Sequence, residues 1–499
     1  MSDRWTGRFL ALLLAYVAVH VLVRVLTSGV VTIDDAREAV LGQTLAWGYQ
    51  PRQPPLYNWL VWGAFQLFGV SVLSLTLVKY TVLFLAYGLV YASARAIIRD
   101  RALAVLATCS LVLVFPISWT FHQGLTHSAA VLAACAATFY VLLRLEASGS
   151  FTTYLALGLV LGLGMLSKFT YGVFAAALLL AALMEGRFRR RLLDARALLS
   201  LAVAGLVLLP FTLWFSRRGY DLALLYAEEV RIERGNTYRG EVVNGLYYIV
   251  RMAFYYLTPL WLVFLLLFPS VYRHLPPPPY ADHPGGRLLG RFFVCLFTLL
   301  TVGALSSQLA YLKWRWLVPA FFLLPLYAFW RLDQVTYERR RLRWLAGLLV
   351  ATELAIIGGI VAVVTSDSFL ARPSDLNKPY DVLVDRLAMA GFTRGTIVVG
   401  RGALAGSLRI RFPDSRVISL EHPYYVPLAS GSGQCLVVEE KGDATRIGPD
   451  IQEELATALD ARLTGAEPVE TAEAPYHWAP GHVRRIHFIL LPEGLGQCR

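Results

Sequence analysis

Eleven stretches of this chain are long, apolar and nearly free of charge, starting near positions 9, 72, 101, 124, 151, 168, 196, 246, 292, 316 and 343. A helix needs about 20 predominantly apolar residues to cross a bilayer. Backbone lying in hydrocarbon must satisfy its own hydrogen bonds, so spanning segments close into helices or barrels. Runs of this length select the first, an α-helical polytopic membrane protein of about eleven spans. The pattern stops near residue 365, and residues 366–499 read as a separate domain. The first run is too long for a cleavable signal, and Leu26-Thr27-Ser28 is a poor cleavage site. It is expected to stay as the first span.

Charge sets the orientation. The net value of +12 invites a nucleic-acid reading, but Arg and Lys collect in alternate loops, as the positive-inside rule requires. Arg4 and Arg8 precede the first span, and Arg99 and Arg101 separate the second and third. Arg187 to Arg196 and Arg339 to Arg343 mark two further basic loops. Placing these inside puts the N-terminus in the cytoplasm and the C-terminal domain outside. Only five of the 46 basic residues are Lys, a bias that points to a GC-rich bacterial genome, so that outside means the periplasm of a plasma (inner) membrane.

Two outer loops are long enough to work. In the first, about 31–71, Thr32-Ile33-Asp34-Asp35 followed by Val40, Leu41 and Leu45 predicts a capped amphipathic helix that Gly48 stops. Pro54-Pro55 opens a second helix, rich in Trp and Phe, of the kind that lies in the membrane interface. The second loop, about 217–245, carries Arg231 and Arg234 among several acids. On the inner side, Pro276 to Gly286 reads as a linker. Beyond 365, helical patterns at 381–389 and 403–410 alternate with extended ones at 396–399, 417–420, 435–438 and 486–490, a small α/β layer. No Gly-rich phosphate loop precedes a helix there.

Cys109, Cys135 and Cys295 fall in apolar runs. Cys435 and Cys498 lie in the outer domain, where a disulfide can form. No cysteine spacing resembles a zinc site, no metal ligand is assigned, and the dependence on a divalent cation is left open.

Asp34, Arg37 and Glu38 are spaced to share one helix face. Asp34 sits where the chain leaves the membrane, a costly place for a carboxylate that is neither paired nor working. Asp35, three residues after Thr32, either completes a capping box or joins Asp34. Arg37 is an ion-pair partner or a phosphate ligand. Arg52 either grips phosphate through charge-assisted hydrogen bonds or snorkels to headgroups. Lys79, Lys168, Lys313 and Arg315 each admit the snorkelling reading. As a set on the outer side they run against positive-inside, which favours a shared role with anions. His122 and His127 are five residues apart and so do not share a helix face, which disfavours a metal pair. Together with Gln53, Tyr57, Arg231 and Arg234 they are candidates for sugar or acceptor contacts.

An acidic pair just after the first span, then Arg37, then a Pro-rich entry to an interfacial helix resembles the membrane glycosyltransferases of the GT-C fold. Within that class the chain is similar to the protein mannosyltransferase and aminoarabinose transferase superfamily. The stretch from Leu45-Ala46-Trp47-Gly48-Tyr49 through Arg52-Gln53-Pro54-Pro55-Leu56-Tyr57-Asn58-Trp59-Leu60 looks most like the lipid A and core galacturonosyltransferases of rhizobia. Leu166 to Thr170 and Lys313 to Pro319 also match family habits. The likeness covers about residues 8–365. It implies a transmembrane catalytic domain over 1–365, a polyprenyl-phosphate-sugar donor, a lipopolysaccharide or other envelope acceptor, and inversion at the anomeric carbon. It makes Asp34 the base or electrostatic anchor and Arg37 a phosphate ligand. Two departures stand out. Gln53 precedes the proline where other branches carry Lys or His, and Thr126-His127 stands where many members carry a second acid. The rival reading is a transporter or lipid flippase. Transporters tend to carry internal repeats and mid-membrane breaks; no repeat is visible here, and the polar residues gather on one side.

Overall fold

The computed structural model describes residues 4–230, 237–273, 283–306, 309–366, 373–400, 402–428, 433–440, 447–459, 463 and 467–491. Each of the eleven apolar runs falls on a helix. Among the described residues six helices are long and apolar enough to cross a membrane, or nine if each sharply bent pair counts as one span. The expected eleven would further require the shorter apolar helices Phe151–Ser167 and Val318–Leu332 to cross. The bends are pronounced: 75° between Arg101–Leu113 and Pro116–Gln123, and 113° between Tyr171–Leu183 and Gly186–Leu192. Of the expected inner linker at 276–286, residues 276–282 lie outside the described residues, as do Arg231 and Arg234, and residues 284–286 instead open the helix Pro284–Leu305 behind its His283 cap.

Contacts divide the chain into two compact units. One comprises residues 1–17, 51–56 and 81–356 and is a helical bundle. Its helices pack where side chains are smallest. A Cβ on Gly158 would stand 2.5 Å from Ser200 O, and one on Gly162 2.7 Å from Val207 Cβ, so this Gly-xxx-Gly face lets Phe151–Ser167 lie close against Ala197–Arg217. Glu185 ties the short basic helix Gly186–Leu192 to the long helix Pro284–Leu305, through Arg287 at 2.8 Å and Arg291 at 2.6 Å.

The other unit comprises residues 18–50, 57–80 and 357–499. Hydropathy draws its boundary at residue 365. The contacts draw another line, because they gather much of the first outer loop with the C-terminal residues. The sheet has five strands in the order β2-β1-β3-β5-β4. β1 (Gly395–Val399) lies parallel between β2 (Arg416–Ser419) and β3 (Gln434–Glu439). β5 (Val483–Leu491) runs antiparallel to β3 and to β4 (Glu470–Pro475). Ile451 and Leu455 of helix Pro449–Leu459 pack on Val398, Val437 and Ile489. The expected helices and strands of this domain are present; β4 and Pro449–Leu459 are additional.

Three helices of the first 70 residues frame the acidic pair: α1 (Arg4–Thr27), α2 (Ile33–Leu41) and α3 (Leu56–Phe68). α2 is shorter than its apolar stripe predicts. It stops at Gly42, not Gly48, with the Gly42 N–H bonded to Glu38 O. A Cβ at Gly42 would stand 2.9 Å from Val61 Cγ1 and 3.2 Å from Phe65 Cε2 of α3. Glycine is needed there for the close approach of the two helices.

Candidate active site

The site is built on α2, and local chemistry explains how that helix starts. The Thr32 hydroxyl accepts from the Asp35 N–H at 3.2 Å and donates to Asp35 Oδ2 at 3.0 Å. Thr32 therefore caps the helix through Asp35, the residue that the spacing pairs with it. Asp35 also does more. Its carboxylate lies 3.2 Å from Lys79 Nζ, with both side chains about 95% buried. Lys79 is thus turned inward onto α2 rather than out to headgroups.

Two further contacts fix the helix from below and beside. Arg24, near the end of α1 and buried, donates to Ser28 O at 2.8 Å and Val30 O at 2.5 Å, which locks the path by which the chain enters α2. Glu38, fully buried, accepts from Asn58 Nδ2 of α3 at 2.6 Å. Tyr57, beside Asn58, is buried as well. Burial pushes its phenol well above the usual range, and the negative field of Asp35, Glu38 and Asp34 adds to the shift.

The side of α2 that stays accessible carries Asp34 and Arg37. Arg37 Nη1 is 3.5 Å from Asp34 Oδ1, and its Nη2 is 3.9 Å from Glu421 Oε1. All three side chains keep partial exposure, between 18% and 28%. Glu421 follows β2. Next to it, burial pushes the His422 imidazole down to about 3, with the Arg37 charge contributing, so this ring is neutral at physiological pH. The arrangement sets a partly exposed carboxylate beside a guanidinium, next to a buried ion pair.

The remaining candidates belong to the helical unit. Arg52 makes an exposed ion pair with Glu228 at 2.8 Å. Gln53 Oε1 is buried without a hydrogen-bond partner, an acceptor that a sugar hydroxyl would satisfy. Lys168 caps helix Phe151–Ser167 and donates to Ser128 Oγ at 2.9 Å, one residue from His127, whose Nδ1 lies 3.3 Å from Ser167 O. His122 Nε2 is hydrogen-bonded to Tyr16 OH at 3.1 Å. Lys313 lies over the Trp316 ring at 5.5 Å, and Arg315 sits in the same turn. Just before Thr126-His127, Leu125 has φ 60°, the left-handed region, and among the described residues no other non-glycine does so.

Among the described residues no three His, Cys, Asp or Glu side chains gather as a metal site. Arg24, Asn58, Glu421 and His422 were not expected from sequence. Arg24 carried a usable signal, a charge inside an apolar run. Glu421 and His422 carried none, because only the fold brings them to α2.

Residues 52–214 match the family described as dolichyl-phosphate-mannose-protein mannosyltransferase. Over 482 residues the chain is 31% identical to the lipopolysaccharide core galacturonosyltransferase RgtB of Rhizobium johnstonii, covering 95% of each protein. It belongs to this family of GT-C membrane glycosyltransferases. RgtA of the same organism, also named a lipopolysaccharide core galacturonosyltransferase, is 26% identical over 94% of this chain and 93% of its own. The fold of the glycosyltransferase matches that of ArnT from Cupriavidus metallidurans, solved bound to undecaprenyl phosphate, with TM-score 0.63 and 13% identity over 98% of both chains. The acidic pair of the glycosyltransferase, Asp34-Asp35, thus stands after the first span of a transferase, and the transporter reading is set aside.

Proposed function

We propose that this glycosyltransferase moves galacturonic acid from a polyprenyl-phosphate donor to a lipopolysaccharide core sugar, at the periplasmic face of the inner membrane. The observation that carries this is the pairing of a 31% identity spanning 95% of the chain with a partly exposed carboxylate at the start of α2. ArnT, similar in fold, has been seen with undecaprenyl phosphate, and the loop charges favour a periplasmic C-terminal domain.

The chemistry is an inverting displacement. A core hydroxyl oxygen attacks the anomeric carbon, the bond from that carbon to the donor phosphate breaks, and polyprenyl phosphate leaves with the electron pair. Asp34 takes the hydroxyl proton. Asp35 and Lys79 hold the floor of the site and cancel each other's charge. Arg52, Lys168, Lys313 and Arg315 are the cations proposed for the donor's anionic groups; Gln53, Tyr57, His122 and His127 are proposed for sugar and acceptor.

General-base assistance is typically worth about 10²–10⁴-fold. Asp34→Asn is expected to fold normally and to turn over at least about 100-fold more slowly, measured as label transfer from a polyprenyl-phosphate sugar to core acceptor by purified protein. Transfer at near the wild-type rate would remove Asp34 from the reaction. Mass spectrometry of core and lipid A from a strain lacking the protein identifies the sugar: a missing galacturonic acid residue is the expected result.

A further inference from the structure

The C-terminal domain touches α2 at three places. Gln43, two residues past the end of α2, donates from its side-chain amide to Val417 O at 2.9 Å and accepts from Val417 N–H at 2.8 Å. It thereby pairs with the outer edge of β2 as a strand residue would. Gly406 of helix Leu404–Arg411 lies against α2 so closely that a Cβ would stand 2.4 Å from Ala36 Cα. Glu421 reaches Arg37. A further contact forms just beyond α2, where the loops 44–51 and 423–428 meet. The Tyr425 hydroxyl shares a hydrogen bond of 2.9 Å with Thr44 Oγ1, and its ring lies 5.4 Å from that of Tyr49. Leu41, Tyr49 and Tyr425 are buried together.

What these two loops leave outside is apolar. Leu45 and Trp47 of the first, with Val426 and Leu428 of the second, are between 44% and 83% exposed. Neither loop contains a charged residue. Tyr425 and Pro427 turn in, while Val426 and Leu428 turn out. Large apolar side chains exposed singly are ordinary, but a set held together marks an interaction surface. Its neighbour α3 identifies the partner. Trp59 Nε1 of α3 donates to Ala46 O at 2.7 Å, and the Trp59 ring meets the Trp47 ring edge-on at 6.5 Å. α3 has no charged residue and leaves Leu60, Leu67 and Phe68 exposed. After three more residues begins Val72–Ile97, a helix long and apolar enough to cross a membrane. The patch is thus continuous with an apolar helix tied to the bilayer surface, the layer in which Trp is enriched. We propose that Leu45, Trp47, Val426 and Leu428 dock the C-terminal domain on lipid, with loop 423–428 resting in the interfacial layer of the leaflet that receives α3. Gln43 and Tyr425 then hold the end of α2 and the edge of β2 at one height above the lipid.

Photo-crosslinking tests this in the full-length protein. p-Benzoylphenylalanine is placed at Val426, at Leu67 of α3, and at Met389, an exposed residue that ends helix Tyr380–Met389 of the same domain. Each protein is irradiated in nanodiscs of phosphatidylethanolamine and phosphatidylglycerol and weighed intact. The probes at 426 and 67 are expected to add the mass of one phospholipid, and the probe at 389 to add none. A labelled 67 with an unlabelled 426 overturns the proposal, as does equal labelling of 426 and 389. A 426 probe that captures a second copy of the chain overturns it too. So does one that takes lipopolysaccharide core in place of phospholipid when both are supplied. If 67 also stays unlabelled, the membrane placement of α3 falls, and the docking patch with it. Should the protein with the probe at 426 fail to fold, Leu428 takes its place with the same expectations. Asp34 plays no part in docking, so crosslinking at Val426 and transfer by Asp34→Asn succeed or fail separately.

Discussion

Asp35 and Lys79 are 44 residues apart in sequence, and their pairing has a measurable consequence. Removing one member of a buried pair leaves an uncompensated charge and costs about 3–5 kcal/mol. Asp35→Asn and Lys79→Met are each expected to lower the thermal midpoint in detergent strongly. The double variant Asp35→Asn/Lys79→Met is expected to recover much of the loss, since neither charge is then stranded. A double variant no more stable than either single one would exclude the pair as a stabilising unit. His422 supplies a pH dependence. Its folded pKa is depressed to about 3 from an ordinary value of 6.5, so below 6.5 the unfolded chain binds a proton that the folded one does not. Stability is therefore fully present above pH 6.5 and is lost progressively as the pH falls toward 3. Thermal midpoints of His422→Gln should fall less steeply than wild type over that window, and parallel curves would show that the ring does not carry the effect. Neither residue's role was readable from sequence alone. Lys79 was visible as a charge in a span, but its pairing with Asp35 needs a contact across 44 residues; only the Thr32 cap was readable, because Thr32 and Asp35 are local.

At the scale of elements, legibility divides in the same way between local and distant causes. The membrane spans were legible because lipid demands long apolar runs, and the start of α2 was legible from Thr32. Its end was not, because Gly42 answers to Val61 and Phe65 on another helix. β4 was missed because its only buried side chains are Ala472 and Ala474, too small to make an apolar alternation conspicuous. Helix Pro449–Leu459 had a signal in Ile451, Leu455 and Leu459. Close packing of elements also yields a test. Gly406→Ala forces Leu404–Arg411 away from α2, and overpacking of this kind costs about 1–3 kcal/mol. Stability and transfer activity should fall together. Gly347→Ala, where an added Cβ meets nothing within 4 Å, should be neutral or slightly stabilising. Equal behaviour of the two variants would show that the α2 contact tolerates displacement.

For the whole molecule, the basic loops predict which side each segment occupies. A phosphatase fused at residue 370 should be active in the periplasm, and one fused within the Arg187–Arg196 loop should be inactive. The reverse pattern would put the carboxylates on the cytoplasmic face, where the proposed donor chemistry does not belong. The sheet unit draws on both ends of the chain, and that imposes an order on biosynthesis. Gln43 and Val417 are separated by 374 positions, so at about 5–20 residues per second the ribosome needs roughly 20–75 s to supply the partner of an edge already made. Throughout that interval α2 has neither its β2 edge nor Glu421. Any transcript cut short before codon 400 therefore yields a chain whose α2 never gains these two contacts.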